Sequence, residues 1–282
     1  MPKPLPAHLT LTTRRALPRD VPSIATILAS APDDGSVYQY PTYFEHPEEW
    51  KQLHREWLGP DMYNPTHLMR VAVVRQEGSE DETIVGFSSW GKRVPDGHSG
   101  KTKAGNIWES WGEVIDLTPP AAAEPTQESK LDTSKAMEYE EMHHDAVRRN
   151  LAKQESLSPT QSTPCYQLTG LSIRPEYQGY GIASLLVRWG LERAAEEGLP
   201  VFTAGETQGV DFYEKALGFH KIKGSEYWLD EEGRDISDEE VASGNEAWKS
   251  ENGGVSGAEM VWCPKGYKLE VRGDVYLGNL ME

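Results

Sequence analysis

Leu168–Thr169–Gly170–Leu171–Ser172–Ile173–Arg174–Pro175–Glu176–Tyr177–Gln178–Gly179–Tyr180–Gly181–Ile182–Ala183–Ser184–Leu185–Leu186–Val187–Arg188–Trp189 is the stretch that decides the fold. Its first part, ending in Leu171–Ser172–Ile173, is β-prone and breaks at Arg174–Pro175. Its last part places Ile182, Leu185, Leu186 and Trp189 at i, i+3, i+4 and i+7, which predicts an amphipathic helix with those four on its buried stripe. Between them Gly179 and Gly181 permit a tight turn. A strand, a glycine turn and a helix start leave backbone N–H groups without internal partners at the positive end of the helix dipole. That arrangement suits an anion such as a pyrophosphate. On the two glycines alone, an ordinary strand-to-helix connection satisfies the same pattern.

The bulk numbers narrow the classes. A chain of 282 residues accommodates one large domain or two small ones, and nine Trp with twelve Tyr supply large packing groups. The formal charge of −17 argues against a nucleic-acid partner, which calls for clustered Lys and Arg. It is compatible with a cationic substrate, and equally with acidity that only confers solubility. Cys165 and Cys263 are too few and too separated for a disulfide framework or a zinc ribbon, which points to a reducing compartment. No run approaches the roughly eighteen apolar residues of a membrane span. The opening residues lack the apolar core of a secretory signal. The expected location is the cytoplasm, or the nucleus, with no membrane partner.

Working outward, His8–Arg15 alternates as a short strand, and Asp20 is placed to cap a helix whose stripe is Val21, Ile24, Ala25 and Leu28. The stretch 32–41 reads as a loop; Pro47–Glu48–Glu49 starts a helix carrying Trp50, Leu53 and Trp57 that is expected to stop at Gly59–Pro60. Met69–Val74 and Thr83–Trp90 form a hairpin. From Lys92 to about Ser134 the chain is polar and reads as an insertion, with Ile107, Trp108, Trp111, Val114 and Ile115 docking. A helix is expected over Lys135–Leu151. Beyond the central stretch come a strand at Pro200–Ala204, a helix at Val210–Leu217 and a strand at Phe219–Ile222. Residues 224–251 hold ten Asp or Glu against two Lys or Arg, the composition of a solvated acidic loop. Glu259–Cys263 is the last expected strand, followed by a polar tail around Tyr276. The layout is mixed α/β: a single domain over 1–282 with a polar insertion at about 92–134 and an acidic one at about 224–256.

Three sequence features together resemble the GNAT superfamily of acetyl-CoA-dependent N-acetyltransferases. Leu171–Ser172–Ile173–Arg174–Pro175 resembles the family's L-x-V-x-P strand end. Gln178–Gly179–Tyr180–Gly181–Ile182–Ala183 fits its Q/R-x-x-G-x-G/A signature at every defined position. Phe212–Tyr213–Glu214–Lys215–Ala216–Leu217–Gly218–Phe219 resembles the Y-E-K-x-G-F element that follows about thirty residues later. The helix expected at Lys135–Leu151, with Gly190 in a W-G-L-E-R-A helix, is similar to a branch common in filamentous fungi.

The resemblance implies a GNAT-like, mostly antiparallel central sheet with helices on both faces and a splayed strand pair, here Leu168–Ile173 against Val201–Ala204. It implies acetyl-CoA as acyl donor, with the backbone of Gln178, Gly179, Tyr180, Gly181, Ile182 and Ala183 holding the phosphates. The strand edge at Leu171, Ser172 and Ile173 would pair with the pantetheine amides, and a strand N–H near Leu171 would polarise the thioester carbonyl. Tyr213 is the implied general acid toward the leaving thiolate. One departure bears on it: Tyr213 and Gly218 are five positions apart where the family usually shows four. One residue turns a helical position by about 100°, so Tyr213 keeps the family position if the extra residue is absorbed after it and becomes a core residue if before.

The general base stays open among Glu206, Asp211, His143 and Glu113, with His143 better read as a core residue. Lys215 is either a phosphate contact or a solvated lysine. Tyr38, Tyr40 and Tyr43 either line an acceptor pocket or simply pack. Two decoys are set aside. Pro95–Asp96–Gly97–His98–Ser99–Gly100–Lys101–Thr102 ends like a phosphate loop but opens on Pro and no amphipathic helix follows. His143–His144 are adjacent on a helix and diverge by about 100°, so no metal is expected. The expected activity is transfer of acetyl from acetyl-CoA to a primary amine of a small molecule by direct attack through a tetrahedral intermediate. Acetylation of a protein or peptide amine is one alternative; a non-catalytic acyl-CoA-binding or regulatory module is another. The oligomeric state stays open, a homodimer among the options.

Overall fold

Alternating apolar residues from distant parts of the chain assemble one twisted sheet. The computed structural model describes residues 2–32, 36–37, 43–95, 102–112, 164–222 and 225–267. In chain order these give β1 (Leu9–Arg15), α1 (Val21–Ser30), α2 (Pro47–Asp61), β2 (His67–Gln76), β3 (Glu82–Pro95), β4 (Thr102–Gly105) and α3 (Ile107–Trp111). Then follow β5 (Cys165–Ile173), α4 (Ile182–Glu197), β6 (Val201–Glu206), α5 (Thr207–Leu217), β7 (His220–Lys221), β8 (Tyr227–Leu229), α6 (Asp238–Ala242) and β9 (Val255–Trp262). The strand order is β1-β2-β3-β5-β6-β9-β7, with β4 paired to β3 and β8 to β9. β5 and β6 run parallel, whereas β1–β2, β2–β3, β3–β5 and β6–β9 are antiparallel. This is the mixed, mostly antiparallel GNAT-like sheet with helices on both faces.

Each face has its own core. On one side α1 and α2 bury Val21, Ile24, Ile27 and Leu58 against Met69, Val71, Val73 and Phe87 of the hairpin. On the other, α4 lays Ile182 and Leu186 on Ala72, Val74, Val85 and Ile173. Further along it packs Val187, Leu191 and Ala194 with Trp90, Tyr166, Val201 and Met260. Contact between α4 and the sheet depends on Gly190, since a Cβ there would stand 2.3 Å from the Trp90 ring.

Several sequence expectations are corrected. Asp20 makes no side-chain cap to α1; its carboxylate instead holds Arg14 at 2.6 Å and accepts the Leu17 N–H at 2.8 Å. α2 does not stop at Gly59–Pro60 but carries Pro60 in its last turn, and Trp57 faces out at 56 % exposure while Trp50 is buried. In α4, Leu185 is 41 % exposed, so the buried stripe is Ile182, Leu186, Val187, Gly190, Leu191 and Ala194. The excursion after Lys92 begins in order, since β3 runs on to Pro95 and β4 returns along it, while Ile107 and Trp111 of α3 are buried as expected. The acidic stretch is likewise partly folded, with Leu229 and Ile236 buried, β8 on β9, and Ser237 capping α6 through Glu240. β9 begins at Val255, earlier than expected, and lies between β6 and β7. The expected helix at 135–151, Val114, Ile115 and the tail around Tyr276 lie outside the described residues.

Candidate active site

The parallel neighbours β5 and β6 are hydrogen-bonded only at their starts, where Tyr166 pairs with Val201 and Gln167 with Phe202. Beyond that point they part. A cavity of about 560 Å³ opens between them, lined on one wall by Leu168–Leu171 and on the other by Thr203–Glu206. Thr203 Oγ1 spans the start of the gap by donating to the Leu168 carbonyl at 3.0 Å. The splay expected at Leu168–Ile173 against Val201–Ala204 is therefore present.

A bulge decides which backbone groups face the gap. Tyr166 N–H donates to the Pro200 carbonyl at 2.9 Å, and the Leu168 carbonyl accepts from Thr203, so these two residues point toward β6. Arg174 N–H donates to Val85 of β3 at 2.9 Å. Because successive residues of a strand address opposite neighbours, Ser172 and Gly170 then face β3, and Leu171 and Ile173 face the gap. The change of phase is taken up at Thr169: Ser89 pairs with Gly170 and Trp90 with Leu168, which leaves Thr169 as the extra residue. By this alternation the Leu171 N–H is directed toward the cavity that Leu171 itself lines.

The glycine turn lies past the end of this strand. Gln178 Nε2 donates to the Ile173 carbonyl at 3.2 Å and holds the strand end against the turn. Gly179 and Gly181 have φ of 83° and 79°, left-handed values that disfavour any side chain. Gly181 is the residue ahead of α4 and caps it without a side chain, so the first-turn N–H groups stay directed outward. Ile182 is buried, whereas Tyr180 and Ala183 are partly buried against the α4 core. Of the strand-edge residues, Ile173 packs inward, and Ser172 Oγ donates to the Ala31 carbonyl at 3.1 Å, tying β5 to the end of α1.

Tyr213 reaches the cavity from α5 and is 7 % exposed. Gly205 allows this approach, since a Cβ there would meet Val210 N at 3.0 Å and Met260 Sδ at 3.2 Å. The Tyr213 ring packs on Phe219 and Phe212, 5.4 and 5.3 Å between centroids. Burial pushes its phenol up to about 12, against a hydrogen bond with Thr203 that pulls the other way. The end of α5 after Tyr213 is closed by left-handed backbone at Gly218. Gly218 adopts φ 74°, its N–H donates to Glu214, and the Phe219 N–H reaches back to the Tyr213 carbonyl at 3.1 Å. That closure is one residue wider than the usual six-residue loop at a helix end.

The cavity passes through the sheet. Thr203 is in register with Met260, on the side covered by α4 and α5. Ala204, Glu206 and Glu259 point to the other side, since side chains alternate and Ala204 is in register with Glu259. Pro32, Arg93 and Gln167 also line the cavity, with Arg93 Nε donating to Gln167 Oε1 at 2.7 Å.

The remaining sequence candidates sort by position. Glu206 lines the cavity, whereas Asp211 is on the surface paired with Lys215 at 2.7 Å, which also occupies that lysine. His143, Glu113, Tyr38 and Tyr40 lie outside the described residues. Tyr43 is no pocket residue: it is buried, stacked on Trp50 at 4.4 Å, with its hydroxyl 3.1 Å from His54 Nε2. Thr203, Gly209 and Glu259 were not anticipated. Their role depends on which strands are neighbours; the β-runs around Thr203 and Glu259 were visible locally, but not that they lie side by side. Among the described residues no group of three His, Cys, Asp or Glu gathers as a metal site.

The model of the Acetyltransferase (GNAT) family matches residues 143–219. The match spans 77 of the chain's 282 residues. It takes in β5, the glycine turn, α4, β6 and α5, which together frame the gap, and it marks the protein as an acyltransferase enzyme. Solved structures that the chain resembles include one described as histone acetyltransferase HPA2 and related acetyltransferase from Corynebacterium glutamicum. It is 14 % identical over 92 % of this chain and 99 % of that one, with a TM-score of 0.47. Another is a mosquito arylalkylamine N-acetyltransferase like 5b, 15 % identical over 90 % and 100 %, TM-score 0.45. A third is the PaiA N-acetyltransferase of Thermoplasma acidophilum in complex with coenzyme A, 12 % identical over 90 % and 99 %, TM-score 0.40. No curated protein matches the chain in sequence. Among the described residues no helix is long and apolar enough to cross a membrane.

Proposed function

We propose that this GNAT acyltransferase moves acetyl from acetyl-CoA to a primary amine of a small molecule. The observation that carries the reading is the through-sheet gap, with Leu171 on one wall and Tyr213 on the other. The fit to the coenzyme rests on two features of the chain. The left-handed glycines 179 and 181 expose first-turn N–H groups suited to phosphate. The edge of β5 at Leu171, which is not paired with β6, offers amide partners to an extended chain, in the manner of an added strand.

When bound, the coenzyme supplies an activated acyl thioester. The Leu171 N–H is the donor placed to stabilise negative charge developing on the carbonyl oxygen. Tyr213 is the proton donor for the departing sulfur; a phenol is protonated at neutral pH, and burial raises its value further, to about 12. Glu206 is the carboxylate on the opposite face, the base for an ammonium entering from the side away from α4 and α5, and Glu259 adds a second acidic group to that mouth. The cavity wall carries Glu206, Glu259 and Arg93, and the net charge of −17 is compatible with a cationic acceptor. The reading places the protein in the cytoplasm or nucleus, where acetyl-CoA is available.

The test is release of free thiol from acetyl-CoA against a panel of small primary amines, polyamines and peptides. Turnover with small amines and none with peptides is the expected outcome. Turnover confined to peptides would replace the acceptor class. Tight coenzyme binding with no turnover on any acceptor would leave a binding module.

A further inference from the structure

The segment ahead of β1 runs back over the glycine turn. The Lys3 N–H donates to the Gly179 carbonyl at 2.8 Å, which ties residue 3 to the turn through its backbone. Its side chain crosses Gly179: a Cβ at that glycine would lie 3.5 Å from Lys3 Cε, 3.6 Å from Cδ and 3.7 Å from Nζ. Pro2 stands beside Gly181 in the same way, 3.2 Å from where a Cβ would be. One dipeptide therefore lies against both left-handed glycines of the turn.

The Lys3 ammonium is exposed and engages no carboxylate among the described residues. Glu176, the acidic residue of the same turn, is oriented toward Arg174 at 3.7 Å. Lys215, the lysine singled out in the sequence for a phosphate contact, is held by Asp211. The cation at the turn thus comes from a part of the chain remote in sequence. Its backbone bond fixes the start of the side chain, which lowers the ordering cost of placing the ammonium over the turn. A lysine is a compact point charge that adapts to phosphate oxygens without the fixed fork of arginine.

We propose that Lys3 is a phosphate-binding residue, whose ammonium completes the Gly179–Gly181 cradle and meets the pyrophosphate of coenzyme A. This rests on the coenzyme reading given above. It assigns to residues 2–3 the role of a strap that joins the site when the coenzyme is bound.

Calorimetric binding of coenzyme A, and of pantetheine, which lacks the phosphates, tests it in the full untagged chain. Lys3→Met should weaken coenzyme A binding about fivefold at low salt, the scale of one exposed charge pair. The loss should shrink in about 1 M salt, where screening acts within roughly 3 Å. Lys3→Arg should restore most of it, and pantetheine affinity should not change. Coenzyme A binding unchanged or tightened in Lys3→Met overturns the inference and leaves the coenzyme site standing; tightening would mean that the strap competes with the ligand. Equal loss of pantetheine and coenzyme A affinity overturns it too, because the effect would not be on phosphate. If the wild-type chain binds no coenzyme A, both this inference and the coenzyme reading fall.

Discussion

Tyr213 serves two environments at once, packed on Phe212 and Phe219 yet forming part of the cavity wall. Replacing it with Phe keeps the ring contacts and removes only the hydroxyl and its bond with Thr203. Turnover of Tyr213→Phe should fall about 100-fold or more, the lower range for a lost general acid, with the coenzyme dissociation constant nearly unchanged. Steady-state kinetics beside calorimetry would separate the two, and an unchanged kcat would reduce Tyr213 to a packing residue. At this scale the sequence made Tyr213 and the 178–183 turn legible, because both belong to contiguous motifs. It left the extra residue before Gly218 unresolved, since spacing does not say where a helix end widens. Glu259 and the bridging hydroxyl of Thr203 had no local signal, as their meaning comes from β6 lying beside β9 and parting from β5. Tyr43 shows the converse: an aromatic in a promising loop, claimed by Trp50 and His54 for the core.

Among the elements, α4 carries the clearest lesson about apolar periodicity. Large side chains at Leu185 and Trp189 suggested a stripe that the structure rotates, because the closest approach to the sheet is made by small residues. Gly190 and Ala194 are buried there, with the Trp90 ring filling the space at Gly190. Helix propensity by itself favours Gly190→Ala by roughly 1 kcal/mol. The 2.3 Å approach to Trp90 predicts the opposite sign. Overpacking of this kind costs about 1–3 kcal/mol, and each kcal/mol lowers Tm by about 2–4 °C in a chain of some 150–250 residues. Thermal unfolding should therefore show a lower Tm for Gly190→Ala, whereas a raised Tm would mean that α4 does not sit on Trp90 as described. The acidic stretch after β7 belongs to the same lesson. Its charge predicted solvated loop, yet Leu229 and Ile236 are buried and β8 pairs with β9, since a few apolar residues suffice to pin a mostly charged segment.

Over the whole molecule, strand order matters more than any single element. The β–α alternation of the sequence announced the hairpin, the crossover from β5 through α4 to β6, and a mixed sheet. It did not announce that β9 would come between β6 and β7, because pairing across some fifty residues leaves no local pattern. That placement brings Glu259 to the wall of the gap, on the same side of the sheet as Glu206. The gap between β5 and β6 joins the two sides of the sheet, so that donor and acceptor can arrive from opposite faces. The most direct test is an experimental structure of the complex with acetyl-CoA. The thioester is predicted in the β5–β6 gap, its carbonyl oxygen within hydrogen-bond reach of the Leu171 N–H, its sulfur beside the Tyr213 hydroxyl and its pyrophosphate on the Gly179–Gly181 turn. Coenzyme bound elsewhere, with the gap vacant and the turn bare, would contradict the account.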